Sequence, residues 1–326
     1  MVNISLEVEL YDLQMSLEPS FISSLYENPK RRSWIKITGW LRGLKIDQRG
    51  SILKSSYPGD LNKIDLERIT ILETGLWHEA FEERIRGAPR RFRPALEILA
   101  SEYPGVRIPI APHDFQFLFF SVLLSKRADY RLVRRWCAAV WRIIEDDLEE
   151  LMSLNADALR EVTRSYQLYD ALRSIRSATE HFKGLSALHR SIISKPPEVA
   201  RVMLMKIWGI GSKVADSLIL STFRATHFAP CDTHLIKLVK ALDLIRGFKL
   251  PNKNLCMRFA CSRKPIAGLQ PCPQYNTCLR GILSSSLEGL AGWFQTLAYL
   301  HGRRYCTRIK PRCRSCPLKT LCSLYY

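Results

Sequence analysis

The sequence predicts a mainly α-helical protein that carries a small antiparallel sheet at its N terminus. Three observations lead there. Apolar and polar residues alternate with a period of two only near the start, within residues 3–57. From Leu61 onward the apolar residues recur at helical spacing. Within that helical part, I-W-G-I-G-S-K-V-A-D-S at residues 207–217 is followed by A-P-C-D-T-H at residues 229–234.

The strands come first. Ile4, Leu6, Val8 and Leu10 alternate with Ser5, Glu7 and Glu9, which places the apolar side chains on one face of a strand. Trp34–Ile37 and Gly39–Leu41 repeat the signal, and Asp47–Gly50 reads as a turn into Ser51–Lys54. Beyond Leu61, Tyr103–Pro109 is a joint punctuated by Pro104, Gly105 and Pro109. Asp114–Ser125 reads as an apolar helix and Tyr130–Ile144 as the next. Glu145–Glu150 is an acidic, solvated helix face, and Asn155–Ala200 holds two or three amphipathic helices. Pro196 and Pro197 mark the loop before the central motif.

Around that motif Leu204, Ile207, Ile210, Val214, Leu218 and Ile219 keep close to helical period. Gly209 and Gly211 break it, and glycine permits a positive φ or close approach to a ligand. The stretch reads as a helix, a glycine-cornered hairpin, and a second helix with Ser212 as N-cap. Asp232 then heads a third helix, Thr233–Leu244. Backbone N–H groups at such a helix start suit one phosphate, which makes Gly209, Ile210, Gly211 and Ser212 candidate phosphate contacts. Lys213 follows them at once.

Charge names the polyanion class. The 49 Lys and Arg exceed the 31 Asp and Glu, for a net charge of +18, as expected of a nucleic-acid binder. A length of 326 residues, 47% hydrophobic, allows two or three cores. The longest apolar run, Phe115–Leu124, contains Gln116 and is too short to span a bilayer, which needs about 20 helical residues. Met1–Glu9 carries acids where a signal peptide has a basic start. The expectation is an intracellular protein, cytoplasmic or nucleoid-associated, bound to nucleic acid and not to membranes.

Ten cysteines without an export signal favour metal over disulfides. Cys306, Cys313, Cys316 and Cys322 stand as C-x6-C-x2-C-x5-C. Four thiolates in one short loop can hold a [4Fe–4S] cluster or a zinc ion. Arg308, Lys310 and Arg312 lie inside the first interval, as phosphate contacts or as surface charge. Cys256, Cys261, Cys272 and Cys278 form a second set. A second metal, two disulfides, or small buried side chains all remain open for it.

Together, G-I-G-S-K-V-A-D, P-C-D-T-H and the tail cysteines resemble the helix-hairpin-helix (HhH-GPD) superfamily of base-excision DNA glycosylases. The cysteine spacing is similar to that of the endonuclease III branch. E-G-L-A-G-W-F-Q-T-L-A-Y-L at residues 288–300 is similar to the pocket helix of 8-oxoguanine glycosylases, whose N-terminal sheet the first residues also resemble. The resemblance implies Lys213 as nucleophile, Asp232 as its carboxylate partner, and a [4Fe–4S] cluster on the four tail cysteines. It implies a base pocket with Gln295 reading the base edge, Tyr299 stacking on the base and Ser217 on the opposite face. His234, at the end of the A-P-C-D-T-H run, is counted with that pocket. Trp293 and Leu297 read as core. Lys126 and Arg127 fall at the corner where the family inserts a side chain into the duplex. Glutamine or asparagine is common there, so in this chain insertion and plain cation contact both stay open.

The implied layout is residues 1–103 for the sheet and first helices, 104–245 for the helical core, 246–286 for a cysteine-containing insertion, and 287–326 for the pocket helix and cluster loop. The implied activity is a DNA glycosylase with abasic-site lyase activity, acting as a monomer on double-stranded DNA that holds an abasic site or a damaged base, an oxidised, 8-oxoguanine-like one. Oxidised pyrimidines, alkylated bases or a non-catalytic DNA-binding role are the alternatives.

Overall fold

The N-terminal alternation closes into one five-stranded sheet: β1 (Val2–Glu7), β2 (Tyr26–Lys30), β3 (Ser33–Lys36), β4 (Lys45–Arg49) and β5 (Ile52–Tyr57). Every neighbouring pair is antiparallel, in the order β1-β5-β4-β3-β2. The computed structural model describes residues 1–144, 147–154, 163, 165–307 and 309–325. β1 pairs with β5 from Val2↔Tyr57 to Glu7↔Ile52, with Val2, Ile4 and Leu6 packed on the core. Two strand expectations are corrected. Gly39–Leu41 is a turn between β3 and β4, and β1 stops before Val8 and Leu10. Leu41 at φ 59° and Leu10 at φ 40° have left the extended region, which ends a strand whatever its side-chain pattern.

Among the described residues the helices are α1 (Leu13–Leu17), α2 (Lys63–Thr74), α3 (Phe81–Arg84), α4 (Arg93–Glu102), α5 (Phe115–Leu124), α6 (Tyr130–Trp141) and α7 (Tyr166–Phe182). They continue as α8 (Leu185–Ile193), α9 (Pro197–Met205), α10 (Ser212–Thr222), α11 (Thr233–Ala241), α12 (Lys253–Cys256), α13 (Leu279–Leu287) and α14 (Ala291–Arg304). The acidic face expected at residues 145–150 and the amphipathic stretch expected from residue 155 lie partly outside the described residues. Among the described residues no helix is long and apolar enough to cross a membrane.

Helix α5 is buried at nine of its ten positions, because it is apolar on nearly every side. It joins the sheet residues Trp34, Ile46 and Leu53 to the hairpin residues Ile207, Ile210 and Val214 in one apolar cluster. A second cluster gathers Leu96, Leu235, Leu283, Trp293 and Phe294 from α4, α11, α13 and α14. Helix α10 belongs to both, through Leu218 and Leu220. Lys213 and Ser217 on α10 therefore sit at the seam between the clusters.

A buried ion cluster ties the sheet to the helices. Lys36 of β3 donates to Glu73 at 2.5 Å and to Asp114 at 2.6 Å, linking α2 and the start of α5. Burial pulls the Lys36 pKa down, but Asp114 and Glu73 outweigh it and hold the amine charged. Replacing Lys36 by Met strands two carboxylates in the core. The expected loss is about 3–5 kcal/mol of stability near neutral pH. Thermal unfolding measures it, and the loss shrinks in acid, where burial favours the protonated Glu73 carboxyl.

Candidate active site

A cavity of about 840 Å³ opens along the seam, where α10, α11 and α14 converge. Lys213, Ser217, Asp232, His234, Gln295 and Tyr299 all line it, from segments far apart in the chain.

Lys213 is the second residue of α10. The N-cap of that helix is Gly211, at φ −107° and ψ 175°, and Ser212 is already helical; this corrects the cap by one residue. A glycine cap offers no side-chain acceptor, so it leaves the first-turn N–H groups for an outside partner. At the hairpin corner Gly209 takes φ 76°. A Cβ there would meet Ser174 Oγ at 2.7 Å and Lys126 Nζ at 2.9 Å. Lys126 thus packs onto the hairpin, where burial lowers its pKa against the pull of Asp170.

Asp232 is held at both oxygens. As N-cap of α11 its Oδ1 accepts the Leu235 N–H at 2.8 Å, and its Oδ2 accepts from Gln295 Nε2 at 3.0 Å. A carboxylate only accepts, so the Gln295 amide nitrogen is the group facing it. Lys213 is partly buried beside this carboxylate. Burial lowers the Lys213 pKa below the ordinary lysine value, and Asp232 opposes the shift. The result is an amine more readily deprotonated than a surface lysine, next to a fixed negative charge.

The rest of the lining is aromatic and cationic. His234 meets the Tyr299 ring edge-on, with centroids 5.3 Å apart. Burial lowers the His234 pKa, Asp232 opposes, and Arg303, Lys237 and Lys213 add to the lowering. Helix α14 approaches α11 closely here, because a Cβ at Gly302 would fall 2.2 Å from His234 Nδ1.

Several lining residues escaped the reading of the sequence. Arg303 donates to the Tyr299 hydroxyl at 3.0 Å, and Arg131 and Lys237 also reach the cavity. The signal for Arg303 was its place one helical turn after Tyr299. At the hairpin tip Trp208 is exposed, with the Arg173 guanidinium 4.0 Å from its ring centroid. A tryptophan beside the corner glycine was the signal there.

Lys126 and Arg127 do not line the cavity; Arg127 is exposed, at φ 56°. Lys310 and Arg312 are exposed in the tail, and Arg308 lies outside the described residues. The tail cysteines begin where α14 ends. Cys306 borders the cavity, and its carbonyl accepts from Lys237 Nζ at 2.8 Å. Cys313 is exposed and Cys316 buried, and Ser323 after Cys322 donates its N–H to the Ala241 carbonyl at 2.7 Å, tying the tail to α11. Burial raises the Cys316 pKa first, and Cys306, Cys322 and Cys313 act on it in the same direction. Among the described residues, no three metal-ligating side chains are drawn together around a single ion. Four thiols in one short loop are the donor type that a [4Fe–4S] cluster takes.

The fold of hairpin, helices and N-terminal sheet is similar to that of solved DNA glycosylases. In sequence the chain is similar to endonuclease III of Rickettsia felis, 24% identical over 236 residues that make up 70% of this chain and 92% of that protein. In structure it is similar to MBOgg1 in complex with a low-affinity DNA ligand, with a TM-score of 0.66 and 16% identity over 92% of this chain and 95% of that one. The 8-oxoguanine glycosylase/lyase of Clostridium acetobutylicum, in complex with DNA carrying cytosine opposite 8-oxoguanine, gives a TM-score of 0.65 at 14% identity, covering 90% and 92%. The 3-methyladenine DNA glycosylase of Archaeoglobus fulgidus gives 0.60 at 12% identity, covering 92% and 98%. No protein-family model matches the chain.

Proposed function

We propose that this protein is a base-excision DNA glycosylase with associated abasic-site lyase activity, and that Lys213 is its nucleophile. The observation that carries the reading is the partly buried Lys213 amine beside the doubly held Asp232, at the edge of a cavity large enough for a base. The relative and the structural neighbours named above support the same class.

The chemistry follows from the residue types. An extruded base sits in the cavity with its π-face against Tyr299 and its edge toward Gln295. The Lys213 amine attacks the sugar C1′. The N-glycosidic bond breaks, and the base leaves with the electron pair and takes up a proton. Asp232 stabilises the positive charge that builds on the sugar. Opening of the sugar ring gives a Schiff base, which acidifies the C2′ proton; its removal expels the 3′ phosphate and cuts the strand. The hairpin N–H groups and Lys126 hold the backbone phosphates. In the tail, Cys306, Cys313, Cys316 and Cys322 would hold a [4Fe–4S] cluster, whose contribution is to fold the basic loop and brace α11.

The decisive experiment is a panel of duplexes, each with one lesion, scored separately for base release and strand cutting. Release of 8-oxoguanine with cutting supports the full reading. Release of an oxidised pyrimidine or an alkylated base moves the lesion assignment, and release of none overturns the enzyme. Gln295→Ala should slow base release by about 10- to 100-fold, the effect of one lost hydrogen bond of roughly 1.5–3 kcal/mol to a charged or buried group. Cutting at a ready-made abasic site should fall less, since no base edge remains to be read. Equal losses on both substrates would mean that Gln295 acts only by holding Asp232. Cys313→Ser should strip iron from the purified protein, from about four per chain to near zero, as a loss of its brown absorbance.

A further inference from the structure

Two arginines are buried completely behind the hairpin. Arg201 of α9 and Arg280 of α13 have no exposed surface, and one carboxylate, Asp216 of α10, serves both. Arg201 Nε donates to Asp216 Oδ1 at 2.5 Å, and Arg280 Nε to the same oxygen at 3.3 Å. Arg280 Nη1 reaches the Cys261 carbonyl at 3.2 Å, and Arg201 Nη2 reaches Cys256 Sγ at 3.5 Å. Arg201 Nη1 and Arg280 Nη2 are buried and find no hydrogen-bond partner among the described residues. Glu198 lies within electrostatic reach of Arg280 but bonds His227 at 3.0 Å. Two cations against one bonded anion leave a positive charge in the core, a costly arrangement unless something else offsets it.

The cysteines of residues 246–286 lie on this charge. Cys256, Cys261, Cys272 and Cys278 all line one small void, with Arg201 in its wall. Three of them are buried, and Cys272 is partly exposed. Backbone pairing holds them in place: the Cys272 N–H donates to the Ala260 carbonyl at 2.9 Å, and Lys249 bridges to Cys278. Cys256 closes α12, and Cys278 caps α13.

We propose that these four cysteines bind a single zinc ion as a structural centre behind the hairpin. Free thiols and disulfides are both neutral and would leave the two unpaired guanidinium nitrogens without a charged acceptor. A zinc ion with four thiolates carries a net negative charge, and its sulfurs accept N–H donors such as the two orphaned guanidinium nitrogens. The void measures about 10 Å³, close to the space of one water, so an atom-sized ion suits it and a four-iron cluster does not. Among the described residues the four sulfurs line the void without converging, so binding requires them to rotate about their Cα–Cβ bonds onto the ion. The position gives the centre a purpose. Arg201 and Asp216 belong to the two hairpin helices, and Asp216 lies one turn beyond Lys213. Closing the arginine pair on a zinc thiolate centre braces both helices through residues that do not line the cavity.

The test is metal analysis of the full chain, and it does not depend on glycosylase activity. Protein produced with zinc and iron supplied should hold about one zinc per chain, with four sulfurs at about 2.3 Å by X-ray absorption. Cys272→Ser should lose the zinc and keep the iron, Cys313→Ser should lose the iron and keep the zinc, and Cys272→His should regain zinc. No zinc in the wild-type protein overturns the proposal. So does a zinc shell of nitrogen or oxygen, or loss of iron instead of zinc from Cys272→Ser. Titration of the denatured, unreduced chain that finds these four cysteines oxidised overturns it as well.

Discussion

Borohydride is expected to trap a covalent adduct between this protein and a damaged duplex, and Lys213→Gln should reduce that adduct to background. The amine is the only group the substitution removes from the reaction, so DNA affinity should remain within a few-fold of the wild type. Folding should survive as well. Burial lowers the Lys213 pKa, so the unfolded chain binds its proton more tightly than the folded one. At neutral pH the buried charge therefore costs stability, and the cost fades as pH rises through the folded-state pKa. Removing the charge leaves the protein at least as stable by thermal unfolding. The same shift sets a pH profile. Trapping at a ready-made abasic site should rise with pH and level off below the ordinary lysine value of about 10.4. Wild-type trapping rates in the Lys213→Gln protein would assign the nucleophile to another amine. Base release by the wild type with no adduct would make Lys213 a phosphate contact.

Asp232→Asn should slow base release by about 10²- to 10⁴-fold, the range for losing a charged or proton-transferring group at a reacting centre. Asparagine keeps an oxygen for the Leu235 N–H, so the start of α11 is preserved and the loss reports on charge. Reaction of Lys213 with abasic sites should fall much less. With Asp232 neutral, nothing opposes the effect of burial on Lys213, so the trapping profile should move to lower pH. An unchanged rate of base release would remove Asp232 from the chemistry and leave it as a helix cap.

The hairpin was legible because its signals are local. Corner glycines, helical apolar spacing and a lysine at a helix start all lie within a few turns of one another. The N-cap was off by one residue, since Ser212 and Gly211 are both acceptable caps and only backbone geometry separates them. Gly39–Leu41 was misread because an alternating pattern does not register the positive φ that ends a strand. The pocket was less legible. The run at residues 288–300 pointed to Gln295 and Tyr299, but not to the bond between Gln295 and Asp232, 63 residues apart. Lys126 was assigned to the DNA-facing corner, and only the fold shows that it lies against Gly209 and the Trp208 ring.

The family resemblance implied Lys213 and Asp232 as candidate nucleophile and carboxylate, and the sequence by itself determined the class of fold, the hairpin and the four-cysteine tail. Each depends on residue types at short, regular spacing, which local backbone geometry turns directly into structure. The tertiary structure alone decided which side chains share a wall. It brought Asp232 under Gln295, set Arg303 on Tyr299, and placed two arginines on one aspartate beside four cysteines. The reason is physical. Those contacts join helices that meet only when two apolar clusters close on α10, and burial, which sets their charges and their need for partners, does not exist until that core has formed.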